Sequence, residues 1–172
     1  MGIENGFSGM QKSTQDKREK DEKTDKMAMA AIEEARMVLP GIQALVGFQL
    51  IAVFNQRFQE LAESEQIIHF VALILVCLAV AIIMRPAAYH RLVERGLISE
   101  FFVSLASALI AIAMVPLMTA LCLEVYLLGR VVLHEQSISM AIASLLLIVF
   151  AGLWFVFPFA MRFTRERYGD DA

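Results

Sequence analysis

Charged and apolar positions separate cleanly along this chain. Four runs contain no Asp, Glu, Lys or Arg: Met37 to Gln56 (20 residues), Gln66 to Met84 (19), Phe101 to Leu123 (23) and Gln136 to Met161 (26). A hydrocarbon core about 30 Å thick needs about 20 helical residues to cross it. Each run meets or nearly meets that length. Only helices and closed barrels satisfy their backbone groups in lipid, and the runs lack the alternation of a barrel strand. The pattern therefore predicts an all-α integral membrane four-helix bundle. Its spans are expected at about 37–56, 66–84, 101–123 and 138–161, within a transmembrane domain over 26–168. Residues 1–25 read as a disordered cytoplasmic tail, being polar, mixed in charge and without periodicity. Residues 169–172 read as a short C-terminal tail.

The prolines fit this reading. Pro40, Pro116 and Pro158 fall inside spans, where neighbouring helices can re-satisfy a freed carbonyl. A kink is expected near Pro116. Pro86 follows span two and is expected to mark its end. The segment Arg85 to Gly96, RPAAYHRLVERG, is short and amphipathic and reads as an interfacial turn of helix.

Basic residues set the expected orientation. The segment before span one carries Lys12, Lys17, Arg18, Lys20, Lys23, Lys26 and Arg36. Arg85, Arg91 and Arg95 follow span two, and Arg162, Arg165 and Arg167 follow span four. The two alternate loops hold only Arg57 and Arg130. Thirteen basic residues thus lie on one side and two on the other. The positive-inside rule places the thirteen, and both termini, in the cytoplasm.

Composition agrees: 58% of the 172 residues are hydrophobic, against 45–50% for a typical soluble domain. The two cysteines, Cys77 and Cys122, lie inside apolar runs and read as small buried side chains, not as a disulfide.

Polar residues inside the spans are the candidates for function. In span one, Arg36, Gln43 and Gly47 share one helical stripe, and Gly41, Gln49 and Gln56 share another. Two polar stripes suggest a helix packed on both sides, hence a central one. Gln43 and Gln49 either line a polar path or bond between helices. Glu124 closes span three and is followed by further apolar residues. It is expected near the outer interface, where it exchanges protons or cations, or else pairs with Arg130. Glu60, Glu63, Glu65, Glu124 and Glu135 make the outer side acidic. His69 and His134 read as solvated or interfacial, because no ligand spacing marks a metal site. His90, in Tyr89-His90-Arg91, is either an interface anchor or a proton relay. The candidate ion or proton pathway is therefore Glu124, Gln43, Gln49, Arg36 and His90.

No nucleophile–base pair, phosphate loop or metal signature appears, so the chain does not read as an enzyme and no cofactor or metal is expected. Its expected partners are the lipid bilayer, a second copy of itself and a cation or proton, with no nucleic acid. Two functions stay open: an oligomeric cation or proton conduit, and a non-transporting membrane interaction or accessory protein.

The segment EEARMVLPGIQALVGFQLIAVFNQRF, Glu33 to Phe58, followed by PAAYHR at Pro86 to Arg91, resembles a family of small four-span bacterial membrane proteins. The resemblance covers spans one and two and the loop after them. That family has no established function, although automatic labels sometimes call its members sodium:proton antiporters. The resemblance implies a multi-pass protein of the bacterial cytoplasmic (inner) membrane and contributes no site residues.

Overall fold

The computed structural model describes residues 3–92 and 100–162. It contains α1 (Ile3–Ala52), α2 (Gln56–Gln59), α3 (Glu63–Leu92), α4 (Glu100–Leu133) and α5 (Gln136–Ala151), the last running into a π-helical stretch, Gly152–Val156. Among the described residues there is no strand. Four helical stretches are long and apolar enough to cross a membrane: Thr14–Ala52, Glu63–Tyr89, Phe101–Leu133 and Gln136–Arg162.

Several boundaries differ from the sequence expectation. Helix α1 begins at Ile3, where a disordered tail was expected through residue 25. From Gln15 to Lys26 the stretch is rich in Lys, Glu and Arg, which favour helix, and Asp16/Lys20, Glu19/Lys23 and Glu22/Lys26 are spaced for i,i+4 ion pairs with the acid first. Helix α3 does not stop at Pro86 but continues to Leu92. Pro86 is buried inside this helix, a setting in which membrane helices tolerate proline. Of the expected interfacial turn over 85–96, residues 85–92 are thus the end of α3, and the remainder lies outside the described residues. Helix α4 runs through Pro116 and past Glu124 to Leu133, so Arg130 is helical and not in a loop. Before Pro158, the N–H of Phe157 bonds back five residues to Gly152. Such a π turn is a known way to accommodate a break in the i→i−4 ladder like the one a proline imposes.

The chain divides into two compact units, Met1–Gly41 with Ala81–Ala111, and Ile42–Val80 with Ile112–Ala172. In the first, Ala28, Ile83, Phe102, Ala106 and Leu109 are buried. The rings of Tyr89 and Phe102 stack with centroids 6.3 Å apart.

The second unit holds the polar interior. On α3 its buried stripe is Glu65, His69, Ala72, Val76 and Ala79, stepping by three and four. On α4 it is Ala113, Met118, Ala120, Cys122 and Leu127. Small side chains at these positions let helix backbones approach closely, as membrane helices require. The turn from α4 to α5 passes through His134, whose φ is +58°. Beside that turn Gly129 meets Ser139 so closely that a Cβ on the glycine would lie 2.8 Å from the serine Oγ and 3.3 Å from its Cα.

Span one is not the most enclosed helix of a single chain: 12% of its apolar window is buried, against 33% for span three. Gln43 is exposed while Gln49 is buried, so only one of its two glutamine stripes is covered.

Candidate functional site

Three polar side chains from three helices bond to one another inside the second unit. Gln49 of α1 donates its Nε2–H to Glu124 Oε1 of α4 at 2.8 Å. His69 of α3 places Nδ1 3.1 Å from Glu124 Oε1 and 3.3 Å from Oε2. The other ring nitrogen, Nε2, lies 3.0 Å from the main-chain oxygen of Gln49. Gln49 is 3% exposed and His69 4%. The edge of Phe58 packs on the imidazole, with centroids 4.9 Å apart.

Local structure explains each placement. Helix α1 ends at Ala52, so the Gln49 carbonyl lies in its last turn, where a second lone pair is open to a neighbouring helix. His69 supplies a donor to it. His69 stands on the same stripe as Ala72, Val76 and Ala79, which turns it inward. Glu124 lies between Ala120 and Leu127, both buried at helical spacing.

A second acid–base pair sits one turn earlier on α3. Glu65 is 7% exposed and is bonded to Arg130 Nε. Its other oxygen accepts the N–H of Ala62 at 3.2 Å, capping α3 in the manner of a capping box.

Two cavities flank these groups. One of about 220 Å³ is lined by Phe58, His69, Glu124 and Leu127, with Arg57 and Asn55 on its polar side. A larger cleft of about 650 Å³ is lined by Ile68, Leu123, Tyr126 and Met140, with Glu65 and Arg130 on its polar side. Among the described residues no three of His, Cys, Asp and Glu come together to hold a metal ion. Cys77 and Cys122 are free thiols, the first exposed and the second buried.

Of the residues proposed from sequence, the structure brings together Glu124 and Gln49. Gln43 and Arg36 are exposed and lie outside this cluster. His90 is on α3, but its side chain is outside the described residues. The alternative pairing of Glu124 with Arg130 is not found: Arg130 pairs with Glu65, and Glu124 with His69 and Gln49. His69 was missed. It is buried and bonded, not solvated. Its spacing of three, seven and ten residues from Ala72, Val76 and Ala79 was the available signal. Glu65, read as a loop acid, is likewise buried.

No curated protein and no solved structure matches the chain. Residues 17–158 match a family of unknown function, DUF6328, and that match spans most of the chain, including all three residues of the buried cluster. With four apolar helices and this match, the chain belongs to DUF6328, a family of unknown function.

Proposed function

We propose that this is a small multi-span membrane protein that conducts a proton or cation by way of Glu124, His69 and Gln49. One observation carries the reading. A carboxyl, an imidazole and an amide are bonded together within helices apolar enough to cross a bilayer. Ionisable groups within membrane helices are costly, and where they occur they commonly mark ion pathways or proton relays. By positive-inside counting, both termini face the cytoplasm. The cluster then lies toward the outer side, near the loop of residues 53–62 and the turn at His134. Reporter fusions after residues 62 and 134 should report the outside, and fusions after residues 92 and 170 the inside. Reversal at any of the four would break the orientation.

The test of conduction is flux. Purified protein in liposomes should dissipate an imposed pH or cation gradient, and Glu124→Gln should abolish or reshape the pH dependence of that flux while the protein stays folded. Equal curves for the two proteins, or no flux in either, would favour a non-transporting accessory role in the membrane.

A further inference from the structure

The hydrogen-bond geometry of the cluster constrains how many protons it holds. The main-chain oxygen of Gln49 can only accept, so His69 Nε2, 3.0 Å away, carries a hydrogen. That leaves Nδ1 facing both oxygens of Glu124, at 3.1 and 3.3 Å. A neutral imidazole protonated on Nε2 presents a lone pair at Nδ1, and an ionised carboxylate presents only lone pairs. Two acceptors do not sit at this distance with nothing between them. Either the imidazole is doubly protonated against a carboxylate, or a carboxylic acid donates to a neutral ring. Both descriptions contain the same single extra proton.

The oxygens around the cluster are poorly suited to an alkali-metal ion. Such an ion needs several oxygens in place of its hydration shell. Here the Gln49 main-chain oxygen is taken by His69, and Glu124 Oε1 already meets the Gln49 amide and the His69 ring. Among the described residues, Gln49 Oε1 is the one buried side-chain oxygen left without a partner. The Gln49 amide and His69 Nε2 each direct a hydrogen at an oxygen that a metal ion would need, which suits a site built for a proton.

The 220 Å³ cavity gives this proton a route, since His69 and Glu124 both line it. Charged groups of α2, α3 and α4 stand around the pair, and Glu60 and His134 line an adjoining cavity with Arg57, Glu65 and Arg130. Arg57 of α2 lines the 220 Å³ cavity as well, while Glu65 of α3 and Arg130 of α4 are tied to one another. Helix α1 contributes Ala52 to the lining and no charged group.

We propose that the species bound at this site is a single proton, held between His69 Nδ1 and Glu124 and exchanged through the cavity beside them, to the exclusion of sodium and potassium. This rests on the cluster being the working part of the protein, but its test does not need conduction. The full chain in lipid nanodiscs, with 15N-labelled histidine, is titrated with acid and base by NMR and infrared spectroscopy. His69→Gln and Glu124→Gln assign the signals. If either variant fails to fold, His90→Gln and His134→Gln, which leave the cluster intact, assign the His69 signals by elimination.

The expected result is a His69 ring with hydrogen on Nε2 and a proton at Nδ1 or on Glu124 that leaves in one step as pH rises. Replacing sodium or potassium by a bulky organic cation should not move that step. A step that shifts about one pH unit per tenfold change in sodium, as one-for-one competition requires, would overturn the proposal. So would a ring carrying hydrogen on Nδ1 alone. Proton binding without flux would support this inference while sinking the conduit reading.

Discussion

Two acid–base pairs link α3 to α4, with the acid and base exchanged between the helices. In one, α3 supplies the acid, Glu65, and α4 the base, Arg130. In the other, α3 supplies the base, His69, and α4 the acid, Glu124. Both satisfy buried groups, and on burial alone they look equivalent. Chemically they are not. A guanidinium is always protonated, so the first pair has a fixed charge pattern. An imidazole can gain or lose a proton, so the second can change its state. Glu65 also caps α3 through the N–H of Ala62, a purely structural task. The two pairs show that a buried ion pair in this chain is not by itself a sign of function. What distinguishes the inner one is a proton that its geometry requires and a third residue, Gln49, that fixes the tautomer.

The largest expected effect comes from breaking the outer pair. Arg130→Ala strands the buried Glu65 carboxylate, and removing one partner of a buried pair costs far more than the intact pair contributes. The midpoint of thermal unfolding in detergent should fall by roughly 5–10 °C. Glu65→Ala should cost less, because the long arginine side chain can turn to solvent. Residual flux, corrected for folded protein, should keep its wild-type pH dependence in both variants. If Arg130→Ala instead abolishes that dependence in folded protein, the outer pair belongs to the path and the distinction between the pairs fails.

The sequence made the spans legible because membrane helices exclude charge over lengths set by the bilayer, and four charge-free runs stand out. It was less reliable where a charge is hidden by a partner. The charge-free run stops before Glu124, yet α4 continues nine residues beyond it to Leu133, with His69 and Gln49 bonded to the carboxylate. The same error put Arg130 in a loop. Pairing partners 55 and 75 residues away in sequence leave no local signature. His69 illustrates a different limit. Its inward register was readable from Ala72, Val76 and Ala79, but a lone histidine near a span's end suits the interface equally well. Gln43 and Gln49 looked equivalent because both belong to polar stripes. Only the packing of α1 tells them apart, exposing one and burying the other.

The smallest expected effect sharpens the comparison at its third member. Gln49 contributes two different groups to the cluster, and they can be separated. Its side-chain amide donates to Glu124 at 2.8 Å, whereas its main-chain oxygen accepts from His69 at 3.0 Å. Gln49→Leu removes the first and keeps the second. An interhelical hydrogen bond in a membrane protein contributes about 0.6 kcal/mol on average. Against that loss, the substitution also removes Gln49 Oε1, which is buried without a partner, and an unsatisfied buried polar group costs about 1–3 kcal/mol. The second term is the larger, so unfolding in detergent should show no loss of stability and a gain of at most about 2 kcal/mol. The atoms that hold the proton are untouched, and so is the carbonyl that fixes the ring. Gln49→Leu should therefore keep the one-step titration of His69 and Glu124 that Glu124→Gln destroys. If the leucine variant loses that titration while remaining folded, the amide and not the helix-end carbonyl governs the proton, and the tautomer argument must be rebuilt around the side chain.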